Sequence, residues 1–422
     1  MATDGTKSKR GVMIDIFLED SVEKQVKEIQ KFENLKDERD VIYHAIQSYF
    51  DKIIKNEKTS DGLKFEKTNE TSFDGVVDFS QLTSLLKNIE TNGLIERLPQ
   101  SDIYGLDSAG IIWIFHNRLL PVKFSLLCLS QMIMERNDPW IDLDELKKYV
   151  QDSAENFVDR LDNFPDIENN FGVSTGFPRS FSSMRNSEED LDDEKILLSH
   201  SRSKKRFSEQ FVGRKLRLRQ IQNQFMLSEG YNLGGACFEM DLIYAKSVYK
   251  NNSEQNPDNP IKMKTKIVVT LNERGLKFAS LKNNLIDFIY GHSAIKPETI
   301  FSDDEKNFYL NEILPRFEFE NNFVKDLIKG GTIESSYYLK KTFEEKYRKF
   351  LTMKFPDQPL PEPKWSPDLF RIRAVGVMTR LIEFGIFKKQ PGTKSGPYIL
   401  NTDDKESNQF SEKTTPWETE LN

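Results

Sequence analysis

The sequence predicts a mainly helical protein with small β-hairpins, and three observations carry that expectation. Apolar residues recur at three- and four-residue spacing through most of the patterned segments, as one buried face of a helix requires. Two places instead carry short apolar stretches on either side of a polar turn, the pattern of a hairpin. The length, 422 residues, exceeds one ordinary core, so two to three domains are expected.

At the amino end Val12, Ile14, Ile16 and Leu18 alternate as a strand does. Two helical stripes follow: Val22, Val26 and Ile29, then Val41, Ile42, Ala45, Ile46, Tyr49 and Ile53. One strand and two helices bury too little surface to stand alone, so residues 1–56 read as a dimerisation segment. Residues 57–77 are polar and broken by Gly and Ser, as a linker is.

Residues 78–290 read as a central helical domain. Its first helix opens at an Asp78 or Ser80 cap and ends near Gly93. "PVKFSLLCLSQMIMER" is a buried helix with Pro121 in its first turn, and another begins near Asp142 or Asp144. Between about 163 and 203 no period is sustained and an acidic run appears, so a disordered insertion is expected, in which Phe171, Phe177 and Phe181 dock transiently. A basic stretch comes next, then "CFEMDLIYAKSVY" and "TKIVVTL" around a polar loop, which form a hairpin, then the helix "NERGLKFASL".

Residues 300–401 open with a helix closed by Gly330 and Gly331 and continue with one capped by Thr332. A proline-rich connection leads to a helix over 368–384, whose stripe is Phe370, Ala374, Val377, Leu381 and Phe384. Gly376 weakens that helix, which suggests close approach of a neighbour. Strands on either side of "KKQPGTKSG" complete the region, and 402–422 is a polar, net acidic tail.

"GVMTRLIEFGIFKKQPGTKSGPYIL" resembles the recognition helix and wing of winged helix-turn-helix DNA-binding proteins of the archaeal and bacterial type. "VVTLNERGLKFASL" resembles the exit from a wing in the same proteins. The resemblance covers about half of the chain and implies a winged helix in 78–290 and another in 300–401. Double-stranded DNA is then the expected partner and transcriptional regulation the expected role. Residues 1–56 resemble the ribbon-helix-helix family, which implies a homodimer. By that family's geometry Met13, Asp15 and Phe17 face the groove, where an acid between two apolar residues reads base edges poorly, so dimerisation is the role the resemblance supports.

A formal net charge of -7 does not oppose this, because the charge is segregated. Acidic residues concentrate in 152–194 and 403–420. The expected DNA contacts are Lys204, Lys205, Arg206, Arg214, Lys215, Arg217 and Arg219 in the basic stretch, with Arg371, Arg373, Arg380, Lys388, Lys389 and Lys394 in the terminal helix and wing. Arginine's paired donors suit base edges and lysine suits phosphate. The acidic run 188–194 is placed to compete for the neighbouring basic stretch.

Other classes find little support. Two cysteines, Cys128 and Cys237, are too few for a disulfide framework or a four-ligand zinc site, and read as buried thiols in a reducing compartment. No signal peptide is recognised at the start, and the apolar stretch 119–134 falls short of the ~18 residues that span a bilayer. There is no Gly-rich phosphate loop, no H-E-x-x-H and no C-x-x-C, and the four histidines are dispersed. The expectation is a cytoplasmic, non-enzymatic DNA-binding protein with no cofactor, metal or membrane partner. An adaptor whose winged helices bind other proteins remains the alternative.

Overall fold

The computed structural model describes residues 72–87, 89–97, 108–113, 118–171, 176–178, 193–216, 232–249, 265–358, 367–390 and 397–401. The strand and helices expected in 1–56, the dimerisation they imply, and the tail 402–422 lie outside the described residues. The rest is mainly helical with small antiparallel sheets.

Helix α1 (Phe79–Leu86) starts where the Asp78 carboxylate accepts the N–H groups of Ser80 and Gln81. It stops well before Gly93 because the chain beyond it is used at a sheet edge: Leu94 bridges Lys246, and the Ile95 N–H donates to the Ala245 carbonyl at 2.8 Å. Helix α2 (Leu120–Arg136) carries Pro121 in its first turn, is buried along most of its length, and ends at Asn137 in the left-handed region. Strand β1 (Ile141–Asp142) leads directly into α3 (Leu143–Leu161), capped by Asp142. Two more helices follow, α4 (Pro165–Phe171) and α5 (Asp193–Phe211).

Helix α4 and the first part of α5, to residue 203, fall in the stretch expected to be disordered. Ile196, His200, Phe207 and Phe211 share one buried face of α5, and the histidine and serines in that face hide its period from a count of apolar residues. Phe177 is also core, with its ring 4.7 Å from Phe157, 5.4 Å from Phe207 and 5.6 Å from Phe124. Phe73, at the end of the presumed linker, packs edge-on against Phe124 and Tyr290.

After α5 come a short hairpin, β2 (Arg214–Leu216) and β3 (Asn232–Gly234), and the helical turn α6 (Ala236–Glu239). The expected hairpin is β4 (Ile243–Tyr249) and β5 (Thr265–Leu271), with β5 central in a β1-β5-β4 sheet. Helix α7 (Glu273–Ser280) leaves β5 through an Asn272 cap, and α8 (Asn284–Ile289) follows. The glycine of "LNERG" is required by contact: a Cβ on Gly275 would lie 1.8 Å from the Leu242 carbonyl oxygen.

Ser302 and Glu305 form a capping box for α9 (Asp303–Phe308), which runs into a π-helical turn, Tyr309–Ile313, and a 3-10 turn, Leu314–Arg316. Then come α10 (Glu318–Gly330), α11 (Ser336–Lys354), α12 (Pro367–Glu383), β6 (Phe387–Lys389) and β7 (Tyr398–Leu400). Ser335 rather than Thr332 caps α11, because Ile333 between them pairs with Tyr398. Ile333, β7 and β6 are paired in the order Ile333-β7-β6, with the last strand central, as β5 is central between β1 and β4.

The two halves share one core. Phe278 of α7 stacks on Phe308 at 5.2 Å, and Phe301 and Tyr309 stack on Phe384 at 4.5 and 4.7 Å. Residues from Ser72 onward form a single unit, separated from the rest at Thr71, inside the stretch 57–77.

Candidate nucleic-acid interface

Helix α5 packs on α2, α3 and α6 through the face of Ile196, Phe207 and Phe211. Its other face is exposed, and there Lys195, Leu198, Ser199, Arg202, Lys205 and Arg206 recur at three- and four-residue spacing. Lys205 reaches Glu209, one turn on, at 4.0 Å. Lys205 and Arg206 are legible in the sequence as part of the basic stretch, whereas Lys195 and Arg202 fall in the presumed insertion; the basic spacing of "KILLSHSRSKKR" is the signal that marks them.

Lys204 is not on this outer face. Its ammonium lies 2.8 Å from both Asp152 and Glu155 of α3. Burial opposes its charge, but the two carboxylates outweigh burial and hold it above the usual lysine range. Asp152 and Glu155 of α3 are therefore acidic partners of Lys204, while most of the acidic run expected to compete, 188–192, lies outside the described residues. Arg214 is exposed at the start of β2, where the Lys215 backbone pairs with Leu233. Arg217 and Arg219 lie outside the described residues.

The terminal helix differs more from expectation. Arg373 and Arg380 of α12 are 5% and 2% exposed, so neither reaches a groove. Arg380 is paired with Glu320 of α10, donating from Nε at 3.1 Å and from Nη2. The same carboxylate accepts the Ile112 N–H at 3.0 Å and the Tyr309 hydroxyl at 3.4 Å. Burial works against the Arg380 charge, and Glu320 more than offsets it, keeping the guanidinium above its ordinary range.

Glu383, at the end of α12, accepts the Leu119 N–H at 2.9 Å and lies 3.4 Å from Arg118. Burial pushes its carboxyl up, against the pull of Arg118. The approach expected at Gly376 is made by the chain itself, since Gly376, Arg373 and Arg380 line a small cavity with Ile111 and Ile112. The segment covering α12 is anchored by the Gly110 carbonyl, which accepts the Glu320 N–H at 3.0 Å, and by the Ala109 carbonyl, which accepts the Tyr347 hydroxyl at 2.9 Å.

Arg371 of α12 and Lys388 and Lys389 of β6 are exposed, and Lys394 lies outside the described residues. The expected basic face of the terminal helix and wing is thus divided. Its two central arginines are structural.

Cys128 and Cys237 are free and buried. Among the described residues no cluster of His, Cys, Asp and Glu is arranged to hold a metal, and no helix is long and apolar enough to cross a membrane. Comparison with known protein families, characterised proteins and solved structures finds no match to this chain.

Proposed function

We propose that the chain binds double-stranded DNA through the outward face of α5 and acts as a transcriptional regulator. The observation that carries this reading is the basic row Lys195, Arg202, Lys205 and Arg206. It lies on a helix that precedes the β4–β5 hairpin in the chain, with β2, β3 and α6 between them, and β5 is central between β1 and β4; a helix followed by a hairpin supports a winged-helix reading. Helix-turn-helix proteins lay that helix in the major groove, where arginine reads base edges and lysine meets phosphate.

Lys204 assists indirectly: by neutralising Asp152 and Glu155 it lowers the acidic field of α3 beside the row. The connection between β4 and β5 adds Lys250, Lys262 and Lys264, suited to the backbone contact of a wing. In this reading the protein is cytoplasmic, non-enzymatic and dimeric through 1–56.

The test is fluorescence anisotropy of the full-length chain with labelled duplexes. Binding should weaken with salt, with log K falling by about 0.9 per log unit of salt for each phosphate contacted. No binding at low salt rejects the reading. The adaptor alternative would then stand, and the second half has its own support for a protein-binding role: its central arginines are covered while Tyr337, Tyr338, Ile372 and Ile399 are exposed.

A further inference from the structure

We propose that Arg97, Arg274 and Arg316 form a binding site for a phosphate-bearing small molecule at the base of the β4–β5 hairpin. Three parts of the chain bring them together: the extended segment 94–97 beside β4, the first turn of α7, and the 3-10 turn that follows the π-helical turn. All three guanidinium groups converge on one carboxylate. Arg274 and Arg316 lie 2.5 and 2.9 Å from Asp241 Oδ2, and Arg97 lies 3.6 Å from Asp241 Oδ1.

Asp241 is held in place by its backbone. It sits in the left-handed region, with φ 56°, and its carbonyl accepts the Asn272 side-chain amide at 2.9 Å. Arg97 also donates to the Glu239 carbonyl at 3.0 Å, while the Glu239 carboxylate accepts the Trp113 N–H at 2.7 Å. Asp241 is thus the one carboxylate that all three guanidinium groups face, because the Glu239 carboxylate is turned to the Trp113 N–H.

Burial, with Arg274 adding to it, holds Arg97 below the usual arginine range, and burial followed by repulsion from Arg97 does the same to Arg316, although Asp241 pulls both the other way. Side chains 27 to 29% exposed remain open to a ligand from solvent. A phosphate dianion relieves the repulsion, and its oxygens match the planar donor fork of arginine.

A cleft of about 370 Å³ adjoins the cluster, sharing Asp241 and Arg274 and walled by Tyr244, Glu273, Lys277, Phe308 and Glu312, with Glu312 3.3 Å from the Lys277 ammonium. That volume falls within the range of small-molecule sites, so the phosphate can carry an organic body. The site lies at the hairpin's base, the end opposite the 250–264 connection, which favours a small molecule over a duplex backbone. The inference is independent of the α5 reading.

Isothermal titration of the full-length protein with pyrophosphate, in chloride at matched ionic strength, is expected to give saturable one-to-one binding. Arg316→Gln or Arg97→Gln should weaken it by roughly tenfold or more. Asp241→Asn should strengthen it, because the competing carboxylate is gone while asparagine still tolerates the left-handed backbone. On the wild-type chain, pyrophosphate should protect Arg97, Arg274 and Arg316 from phenylglyoxal, read by mass spectrometry, which does not depend on any variant folding. Absence of saturable binding, or protection that bypasses these arginines, overturns the proposal. So does an Arg316→Gln variant that loses duplex DNA affinity but keeps pyrophosphate binding, since the cluster would then serve a DNA backbone.

Discussion

Glu320 faces Arg380 inside the core, where removing either partner leaves an uncompensated charge. Glu320→Ala should therefore destabilise the protein by about 3 to 5 kcal/mol in urea unfolding, whereas replacing both residues together with apolar ones should cost much less. Asp142 makes a pH-dependent contribution. Burial raises its pKa, but Lys266 and the N–H groups of Glu145 and Asp144 outweigh burial and hold it below the ordinary 3.8. A depressed carboxylate adds stability above its unfolded pKa and loses it as pH falls through the folded one. The stability gap between wild type and Asp142→Asn should then be constant above about pH 5 and close as pH falls below 3.8. These roles differ in legibility. Asp142 is visible as a helix cap because capping is local. Arg380 reads as outward because its partner lies 60 residues away and a stripe drawn from apolar residues assigns every charge to the surface.

Local chemistry also makes most elements readable. Pro121, the Asp78 and Asp142 caps and the alternation of β4 and β5 each announce a boundary or a strand. Helix α5 is hard to read in its first half, where its buried face holds Ile196 and His200 while Leu197 and Leu198 are exposed, so the apolar residues do not mark the face. Lys195 and Arg202 of the basic row are hidden with it, whereas Lys205 and Arg206 are legible. Gly275 belongs to a recognisable motif, and its packing against Leu242 gives that motif a physical reason. Gly275→Ala should force α7 away from β4 and lower stability by about 2 kcal/mol or more, measured as a shift in the urea midpoint with the slope unchanged.

Across the whole molecule, the two halves are expected from sequence as separate domains, but their polar groups are satisfied across the division. Glu383 depends on Arg118 and the Leu119 N–H, Glu320 on the Ile112 N–H, and Glu305 on Lys123 at 3.0 Å. Lys123 in turn donates to the carbonyls of Phe278 and Leu281. The isolated segment 302–401 would leave Glu305, Glu320 and Glu383 without these partners and should lack a cooperative unfolding transition, which circular dichroism can check.

The central claim, that DNA is held by α5 and not by α12 and its wing, is tested most directly by two variants of the full-length chain in a salt series on one duplex. Arg202→Ala with Arg206→Ala should weaken binding and reduce the salt slope by roughly 0.9 for each phosphate that the variant no longer neutralises, while Arg371→Ala with Lys388→Ala and Lys389→Ala should leave both nearly unchanged. A wild-type slope and affinity in the first variant, or abolished binding in the second, would contradict it.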